Sequence, residues 1–419
     1  MQRAGVPFPQ PASNRRVDVR VCQTRSDWNE EDAVLSHQKV AIVIPLSRGY
    51  AQDIMRSVSL FARTVKRWLL HLEDPTHNPE LVGLKEWGPD GVLGFLSPPR
   101  VAEAVLRLGK PVVNISGRAE MNIPSVTIDD IAVGRAAADY FLARGFRRFA
   151  FLGNPFPYTR RRGQGFAERI SEAGFACTEH IVPFDSWDVP GPGWLEAEAR
   201  MREWLHSLPK PVAVLAANDQ LGKDATHTCF NAGLRVPDEV ALLGVDNDET
   251  ICNLATPPLS SIRTNRERLG HVAATLLDRL MSGDRRAANE HVLIPPLGVN
   301  TRQSSDYIAD DDPELAEALR LLREKIEEPL SVERLLGQLP MSRRKLERRF
   351  RAALGRTPLE EIHRLKIERA KELLTLSDLS QSEIASRLGF SSADRLRLVF
   401  RKLTGISPSE YRDRFAHRA

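Results

Sequence analysis

Residues 379–408 read LSQSEIASRLGFSSADRLRLVFRKLTGISP, and residues 330–358 read LSVERLLGQLPMSRRKLERRFRAALGRTP. The two stretches are one pattern written twice. Leu330, Ser331, Leu335, Leu336, Leu339, Met341, Ser342, Leu346, Phe350, Gly355 and Pro358 answer to Leu379, Ser380, Ile384, Ala385, Leu388, Phe390, Ser391, Leu396, Phe400, Gly405 and Pro408, offset by 49 residues up to the serine and by 50 after it. Each copy predicts a short helix with apolar residues at i, i+1 and i+4, a tight turn, and a Ser-capped helix with apolar residues four apart. Two helices packed across so short a turn leave the second one facing outward, where it can enter a major groove. The tail is therefore read as a tandem helix-turn-helix binding duplex DNA, with units at 330–355 and 379–405.

In the first unit Leu346 and Phe350 give one side of the second helix to the core, and Glu347 is the single acid between residues 343 and 351. Ser342, Arg343, Arg344, Lys345 and Arg348 are the candidate DNA contacts, with Arg343 and Arg344 placed at the N-terminal end where base edges are read. In the second unit Ser391 is expected to cap, leaving Ser392, Asp394, Arg395 and Arg397 for the groove. Asp394 is suited either to accept from cytosine N4 or to orient Arg395.

Composition agrees. The chain has 419 residues, 42% apolar and 27% charged, enough for two or three domains and a sizeable core. From Asp312 onward 23 Lys/Arg face 17 Asp/Glu, a net +6, while the remainder has 36 against 38, a net −2. The basic excess sits with the tandem motif, as phosphate binding requires. The longest apolar runs, such as 40–46 and 212–217, are strand-sized and far short of a membrane span. Residues 1–37 carry Arg3, Arg15, Arg16, Arg20 and Arg25 without an apolar export signal, and read as a disordered leader on a cytoplasmic protein. Cys22, Cys177, Cys229 and Cys252 are scattered, with no ligand spacing, so neither a metal nor any other cofactor is expected.

Between Lys39 and about Ser304, strands and helices alternate. Apolar strand candidates are 40–46, 91–96, 112–115, 149–152, 212–216 and 241–245, separated by helical patterns at 54–72, 101–108, 131–143, 163–173, 194–205 and 221–232. That order predicts a parallel, doubly wound α/β architecture in two lobes, the second beginning near Phe149 and the chain exchanging lobes again near 260–300. The sensor is assigned to 38–308 and the DNA-binding domain to 309–419, with Asp312 and Pro313 starting its first helix and His363–Leu374 joining its two units. Sites in open α/β sheets lie at the carboxyl ends of strands. Those positions hold Ser47, Arg48 and Tyr50; Asn114 and Ser116; Asn154; Asn218 and Asp219; and Asp246, Asn247 and Asp248. Amides, carboxylates and an arginine at a cleft suit a polyhydroxylated ligand.

The tail resembles the AraC/XylS family of bacterial transcription regulators in MSRRKLERRFRAALGRTP and in SEIASRLGFSSADRLRLVFRKLTGISPSEYR. The central region resembles the periplasmic-binding-protein-like sensors of LacI-type repressors, in AANDQLGKDA at 216–225, GLRVPDEVALLGVDND at 233–248 and PPLSSIRTNRERLG at 257–270. Such a sensor followed by an AraC-type tail is similar to the bacterial xylose operon regulators. The resemblance implies a xylose-like sugar effector, a homodimer, contact with RNA polymerase, and activation of sugar-utilisation genes. It places ligand contacts on Asn114, Arg162, Asn218 and Asp246, with Asp219 beside them, Trp187 near the aromatic that stacks on the sugar, and Tyr50 in the first loop. At the second unit the core departs from the family at Asp394, Arg395 and Leu396, so base preference does not transfer.

Plainer readings compete. Asp219 precedes a helix and is placed to be its N-cap; Arg162 lies in the run Arg160–Arg162, which fits a solvated turn; Trp187 lies between Pro183 and Pro190 and fits a loop anchor, with Trp194 a rival for its role. An α/β sugar-binding enzyme, or a regulator answering to another metabolite, is the alternative function. Gly163-x-Gly165 is followed by Glu168 where the dinucleotide fingerprint needs glycine, and no phosphate-loop, nucleophile-elbow or zinc-protease motif occurs.

Overall fold

The computed structural model describes residues 37–46, 49–183, 192–307, 312–326, 328 and 330–415. Two parallel-rich sheets and a helical tail account for the described residues from 38 onward. The first lobe takes β1 (Lys39–Val43), α1 (Gly49–Phe61), β2 (Leu69–Glu73), α2 (Leu84–Trp87), β3 (Gly91–Gly94), α3 (Pro99–Leu106), β4 (Val112–Asn114) and β5 (Ser125–Ile128). The second takes α4 (Asp130–Leu142), β6 (Phe149–Gly153), α5 (Pro157–Glu172), β7 (Cys177–Ile181), α6 (Pro192–Ser207), β8 (Val212–Ala216), α7 (Asp219–Asn231), β9 (Val240–Val245), α8 (Glu249–Leu254) and β10 (Ser260–Arg263). The chain then returns to the first lobe for α9 (Arg266–Met281) and β11 (His291–Ile294) and ends the sensor with β12 (Gly298–Asn300) in the second.

Strand order is β11-β5-β4-β3-β1-β2 in one sheet and β12-β10-β9-β8-β6-β7 in the other. The chain therefore crosses between lobes three times, at 128–130, 263–266 and 294–298. β6, β8 and β9 are buried on both faces, which is why they read as unbroken apolar runs. Several edge elements escaped the pattern. The helical reading of 54–72 is corrected: α1 ends at Phe61, a π-helical turn at Ala62–Lys66 closes on Arg67 at φ 51°, and β2 follows, paired in parallel with β1. β2 is an edge strand that leaves Leu69 and Leu72 exposed, so its apolar residues follow neither period. β12 departs from the parallel expectation by running antiparallel to β10.

The tail comprises α10 (Pro313–Glu324), α11 (Val332–Leu336), α12 (Arg343–Leu354), α13 (Pro358–Leu376), α14 (Gln381–Arg387), α15 (Ala393–Thr404) and α16 (Pro408–Phe415). Asp312 caps α10 by accepting from the Glu314 and Leu315 amides. α13 begins five residues before the expected His363, because Thr357 and Glu360 form a reciprocal capping box ahead of it. The two units keep separate cores: Leu315, Leu322, Leu335, Leu346 and Phe350 cluster in one, and Ile367, Leu374, Ile384, Leu396 and Phe400 in the other. α13 supplies both, giving Ile362 to the first and Ile367, Ala370, Leu373 and Leu374 to the second. No helix among the described residues is long and apolar enough to cross a membrane.

Candidate functional site: an interlobe cleft and an exposed pair of tail helices

The strands aim their carboxyl ends at a cleft between the lobes of about 680 Å³ including its open mouth. Tyr50, Ile54, Phe95, Ile115, Ser116 and Arg118 line it from the first lobe, and Thr264, Arg266 and Leu269 from the second crossover and α9. Asp130, Tyr158, Arg162, Asn218 and Asp246 line the opposite wall.

Arg162 is the hub of that wall. Its Nε donates to Asp130 Oδ1 at 2.9 Å, one terminal nitrogen donates to the Ala217 carbonyl at 2.6 Å, and the other lies 3.6 Å from Asp246 Oδ1. The guanidinium also packs over the Tyr158 ring at 4.9 Å. Burial opposes its charge, yet Asp246 and Asp130 overcome that and raise its pKa. Burial raises the pKa of Asp130 in spite of Arg162 and Arg161, which both pair with it. This layout depends on two glycines: α4 and α5 touch so closely that a Cβ on Gly134 would strike the Arg162 carbonyl, and one on Gly165 would strike that of Ile131. The buried run position is thus a packed arginine, whereas Arg160 stays exposed and Arg161 reaches across the cleft to the Gly117 carbonyl at 3.3 Å and to Glu120 at 3.3 Å.

Asn218 caps α7 through Oδ1, accepting from the Leu221 amide at 2.9 Å, and its Nδ2 donates to the Tyr158 hydroxyl at 3.0 Å. This corrects the N-cap reading of Asp219. Asp219 lies one residue inside the helix, is buried, and does not line the cleft; its carboxyl accepts from Ser261 Oγ at 2.5 Å and from the Asp248 amide at 2.7 Å. It braces the loop that presents Asp246, where Asp246 and Asn247 both have positive φ, 108° and 51°. Two non-glycine residues in that region need an external hold, which Asp219, Ser261 and the Asn300 amide on Asn247 Oδ1 provide.

Burial, aided by Asp246, pushes the Asp219 carboxyl up to about 8, while Ser261 and Asp248 pull the other way. A carboxyl raised above its unfolded value near 3.8 contributes stability that is complete below that value and lost as pH climbs through about 8. Asp219→Asn keeps the shape of the protonated form, so its melting temperature should fall less between about pH 6 and pH 9 than that of the parent chain. Parallel melting curves for the two proteins across that window would remove Asp219 as the titrating group.

Asn114 does not line the cleft either. Its amide is spent within the turn, donating to the Ser116 carbonyl at 3.1 Å and accepting from the Ser116 amide at 3.0 Å, so it shapes the loop that carries Ser116 and Arg118. Tyr50 does line the cleft, its ring tilted against that of Phe95 with centroids 5.7 Å apart, while Trp187, Ser47 and Arg48 lie outside the described residues, as does the side chain of Trp194. Sequence reasoning missed Asp130, Tyr158, Arg118, Thr264 and Arg266. Asp130 opens α4 just past β5, a four-residue strand too short to stand out, and Thr264 and Arg266 belong to a crossover whose destination only the fold reveals.

In the tail, Ser342 caps α12 as expected, but the cap of α15 is Ser392, which accepts from the Arg395 amide, and not Ser391. The extra residue of the second copy therefore falls before its cap. On α12, Arg343 pairs with Glu333 at 2.9 Å and Glu347 at 3.1 Å, Lys345 with Glu314 at 2.6 Å, and Arg349 with Asp312 at 2.7 Å. Arg344, Arg348 and Arg351 share the exposed face opposite Leu346 and Phe350. On α15, Asp394 pairs with Arg397 at 2.8 Å, so Arg395 is not oriented by it and stands exposed beside Ser391 and Ser392.

Residues 138–305 match the model of a periplasmic binding protein-like domain, and residues 335–414 that of a helix-turn-helix domain. The xylose operon regulatory protein of Escherichia coli strain K12 is 26% identical over 385 residues, covering 90% of this chain and 97% of its own length. The chain therefore joins a periplasmic-binding-protein-like domain to an AraC-type helix-turn-helix domain, as a DNA-binding transcription regulator. The Haemophilus influenzae xylose operon regulatory protein matches this regulator similarly, 26% identical over 90% of this chain and 98% of its own. Among solved structures, a xylose-binding transcription activator superposes with a TM-score of 0.70 at 24% identity, covering 91% of this chain and 99% of that one. A cellobiose-bound transcriptional regulator superposes on the sensor with a TM-score of 0.52 at 25% identity, covering 65% and 86% of the two chains. These relatives are transcription regulators, and the enzyme reading is set aside on that ground.

Proposed function

We propose that this regulator is a cytoplasmic homodimer that binds a monosaccharide between its lobes and duplex DNA through α12 and α15, and that it activates sugar-utilisation genes through RNA polymerase. The observation that carries the reading is the cleft itself. One wall presents carboxylates, an amide and an arginine, and the other apolar faces with hydroxyls and two further arginines, on the chain that also carries the DNA-binding tail. Each sugar hydroxyl can donate to Asp246 or Asp130 and accept from Arg162 or Asn218. The similarity to xylose operon regulators makes xylose the first ligand to test.

A ligand touching both walls favours the closed arrangement of the lobes. The consequences can reach the tail along covalent and hydrogen-bonded connections. Asn247, next to Asp246, holds Asn300 at 3.2 Å; from there the chain runs to Gln303, which donates to Glu372 of α13 at 3.0 Å, and to Asp306, which pairs with Arg364 of α13 at 2.7 Å. At the far end of α4 from Asp130, the Tyr140 hydroxyl meets Ser305 at 2.8 Å.

By linkage, sugar and operator DNA should tighten each other by the same factor. Sugar affinity measured calorimetrically with and without operator tests this, and equal values would sink the sensor reading even if both ligands bind. Asp246→Ala should weaken the sugar by about 1.5–3 kcal/mol, a lost charge-assisted hydrogen bond in a partly closed site. On the DNA side, Arg344→Ala or Arg395→Ala should cost about 1–3 kcal/mol and relax preference at one base position, whereas Arg343→Ala should cost less because Glu333 and Glu347 already neutralise it. A loss that is uniform over all sequences would make either arginine a phosphate contact.

A further inference from the structure

We infer that Leu398 is a specificity-determining residue for DNA: it seats the C5-methyl group of a thymine in the major groove entered by α15, at the place where the first unit carries Arg348. This rests on the reading of α12 and α15 as the helices that contact DNA. Leu398 is 59% exposed and belongs to neither tail core. It stands two residues from both Leu396 and Phe400, which are fully buried, and so lies about 160° from each around the helix. The leucine is therefore at the middle of the outward face, in one row with Asp394 and Lys402 four residues to either side. The caps fix the comparison with the first unit. Ser342 caps α12 and Ser392 caps α15, an offset of 50 that holds through Gly355 and Gly405, both at positive φ. Leu398 thus occupies the place of Arg348, and Asp394 that of Arg344.

An apolar side chain at that place has one complement in the groove. Arg344 and Arg348 of α12 are exposed and have no ion-pair partner among the described residues, which suits them to bidentate contact with guanine O6 and N7. Leu398 can neither donate nor accept, and the apolar group that a base pair shows in the major groove is the thymine methyl. Over a G·C pair the leucine would cover the cytosine amino group or the guanine oxygen without replacing the hydrogen bonds lost to water, a penalty that disfavours both. Its surroundings fit nucleic acid and not a protein partner. Arg395, Arg401 and Lys402 flank it and are exposed, whereas Asp394 is paired with Arg397 at 2.8 Å. Those cations match phosphates on either side of a base edge. Leu403, also exposed on α15, is five residues on and about 140° away around the helix, so the two leucines do not form the contiguous apolar patch of a protein interface. The two units therefore read different bases at equivalent places, guanine under Arg348 and thymine under Leu398, and the operator is not a simple repeat.

The test is selection by the full chain from a randomised duplex library, with and without D-xylose, followed by fluorescence anisotropy on the recovered sequence. Each thymine of that sequence is replaced in turn by deoxyuridine, which lacks only the C5-methyl. One replacement should weaken binding by the parent chain about fourfold, the worth of one buried methyl group. Exchanging that T·A pair for C·G should weaken it about tenfold or more. Leu398→Ala should bind the thymine and uracil duplexes equally to within about 1.5-fold, since the methyl then has no partner to lose. Leu398→Arg, put through selection anew, should enrich guanine at that place. The inference is overturned if no thymine is sensitive to the loss of its methyl, or if the sensitivity survives in Leu398→Ala. It is equally overturned if Leu398→Ala weakens every duplex alike, or if it abolishes transcription while DNA binding and base preference stay intact, the result expected of a protein contact. Should either variant fail to fold, the uracil scan on the parent chain decides alone. A specific sequence without a methyl-sensitive thymine would leave α12 and α15 standing as DNA-reading helices, whereas no enrichment of any sequence would remove that reading and this inference together.

Discussion

Arg162→Ala is expected to cost about 3–5 kcal/mol of stability, the range seen when one partner of a buried ion pair is removed. The substitution would leave Asp130, which is almost fully buried, with Arg161 alone, and would strip the Ala217 carbonyl of its donor. It would also take away the packing over Tyr158. In a protein of this size that corresponds to a melting temperature lower by roughly 10 °C, readable by circular dichroism on the full chain. The deficit should depend on pH with a definite sign. Burial already raises the Asp130 pKa, so without Arg162 the carboxyl keeps its proton further up the scale. A raised carboxyl contributes most at low pH, and the variant should therefore lose more relative to the parent as pH rises. A change below about 1 kcal/mol, or one independent of pH, would mean that Arg162 is a dispensable rim residue.

Phe400→Ala should cost about 3–5 kcal/mol as well, but in the other half of the molecule. Phe400 is fully buried in the core of the second helix-turn-helix unit, edge-on to Tyr411 at 5.5 Å, on the inner face of the helix that also carries Arg395. The first unit has its own core around Phe350, and the cleft residues belong to neither. Operator binding should accordingly fall by more than about tenfold while the affinity of the isolated ligand-binding step changes little. Gel-shift and calorimetric titrations on the same preparation check both halves. Equal losses of ligand and DNA affinity would show that sensor and tail fold as one cooperative unit, and would also weaken the case for assigning the two ligands to separate sites.

How far the chain could be read in advance depended on the range of the interactions involved. The doubled pattern at 330–358 and 379–408 was legible because caps, turns and i, i+4 apolar pairs are satisfied within a few residues of one another. The central strands were legible for a related reason: β6, β8 and β9 are covered on both faces, so almost every residue had to be apolar. Edge strands β2, β7 and β12 were not, since one face and one row of backbone groups meet solvent and impose no pattern. Even in the tail, the cap of α15 passed from Ser391 to Ser392 because adjacent serines are chemically alike and only the backbone angles at the turn distinguish them.

The cleft belongs almost wholly to tertiary structure. Arg162, Asn218 and Asp246 could be placed at strand ends or by resemblance, yet their partners come from distant segments. Asp130 meets Arg162 because Gly134 and Gly165 let α4 and α5 touch, and Thr264 and Arg266 arrive by a second crossing between lobes. Asp219 and Asn114 illustrate the converse, polar residues at the expected strand ends whose hydrogen bonds are spent on holding loops. Residue type and local spacing determined that this chain would form two α/β lobes and two DNA-sized helix pairs. Which polar groups face the ligand was decided by packing, because a donor or acceptor is available to a ligand only when no nearer group in the fold has claimed it.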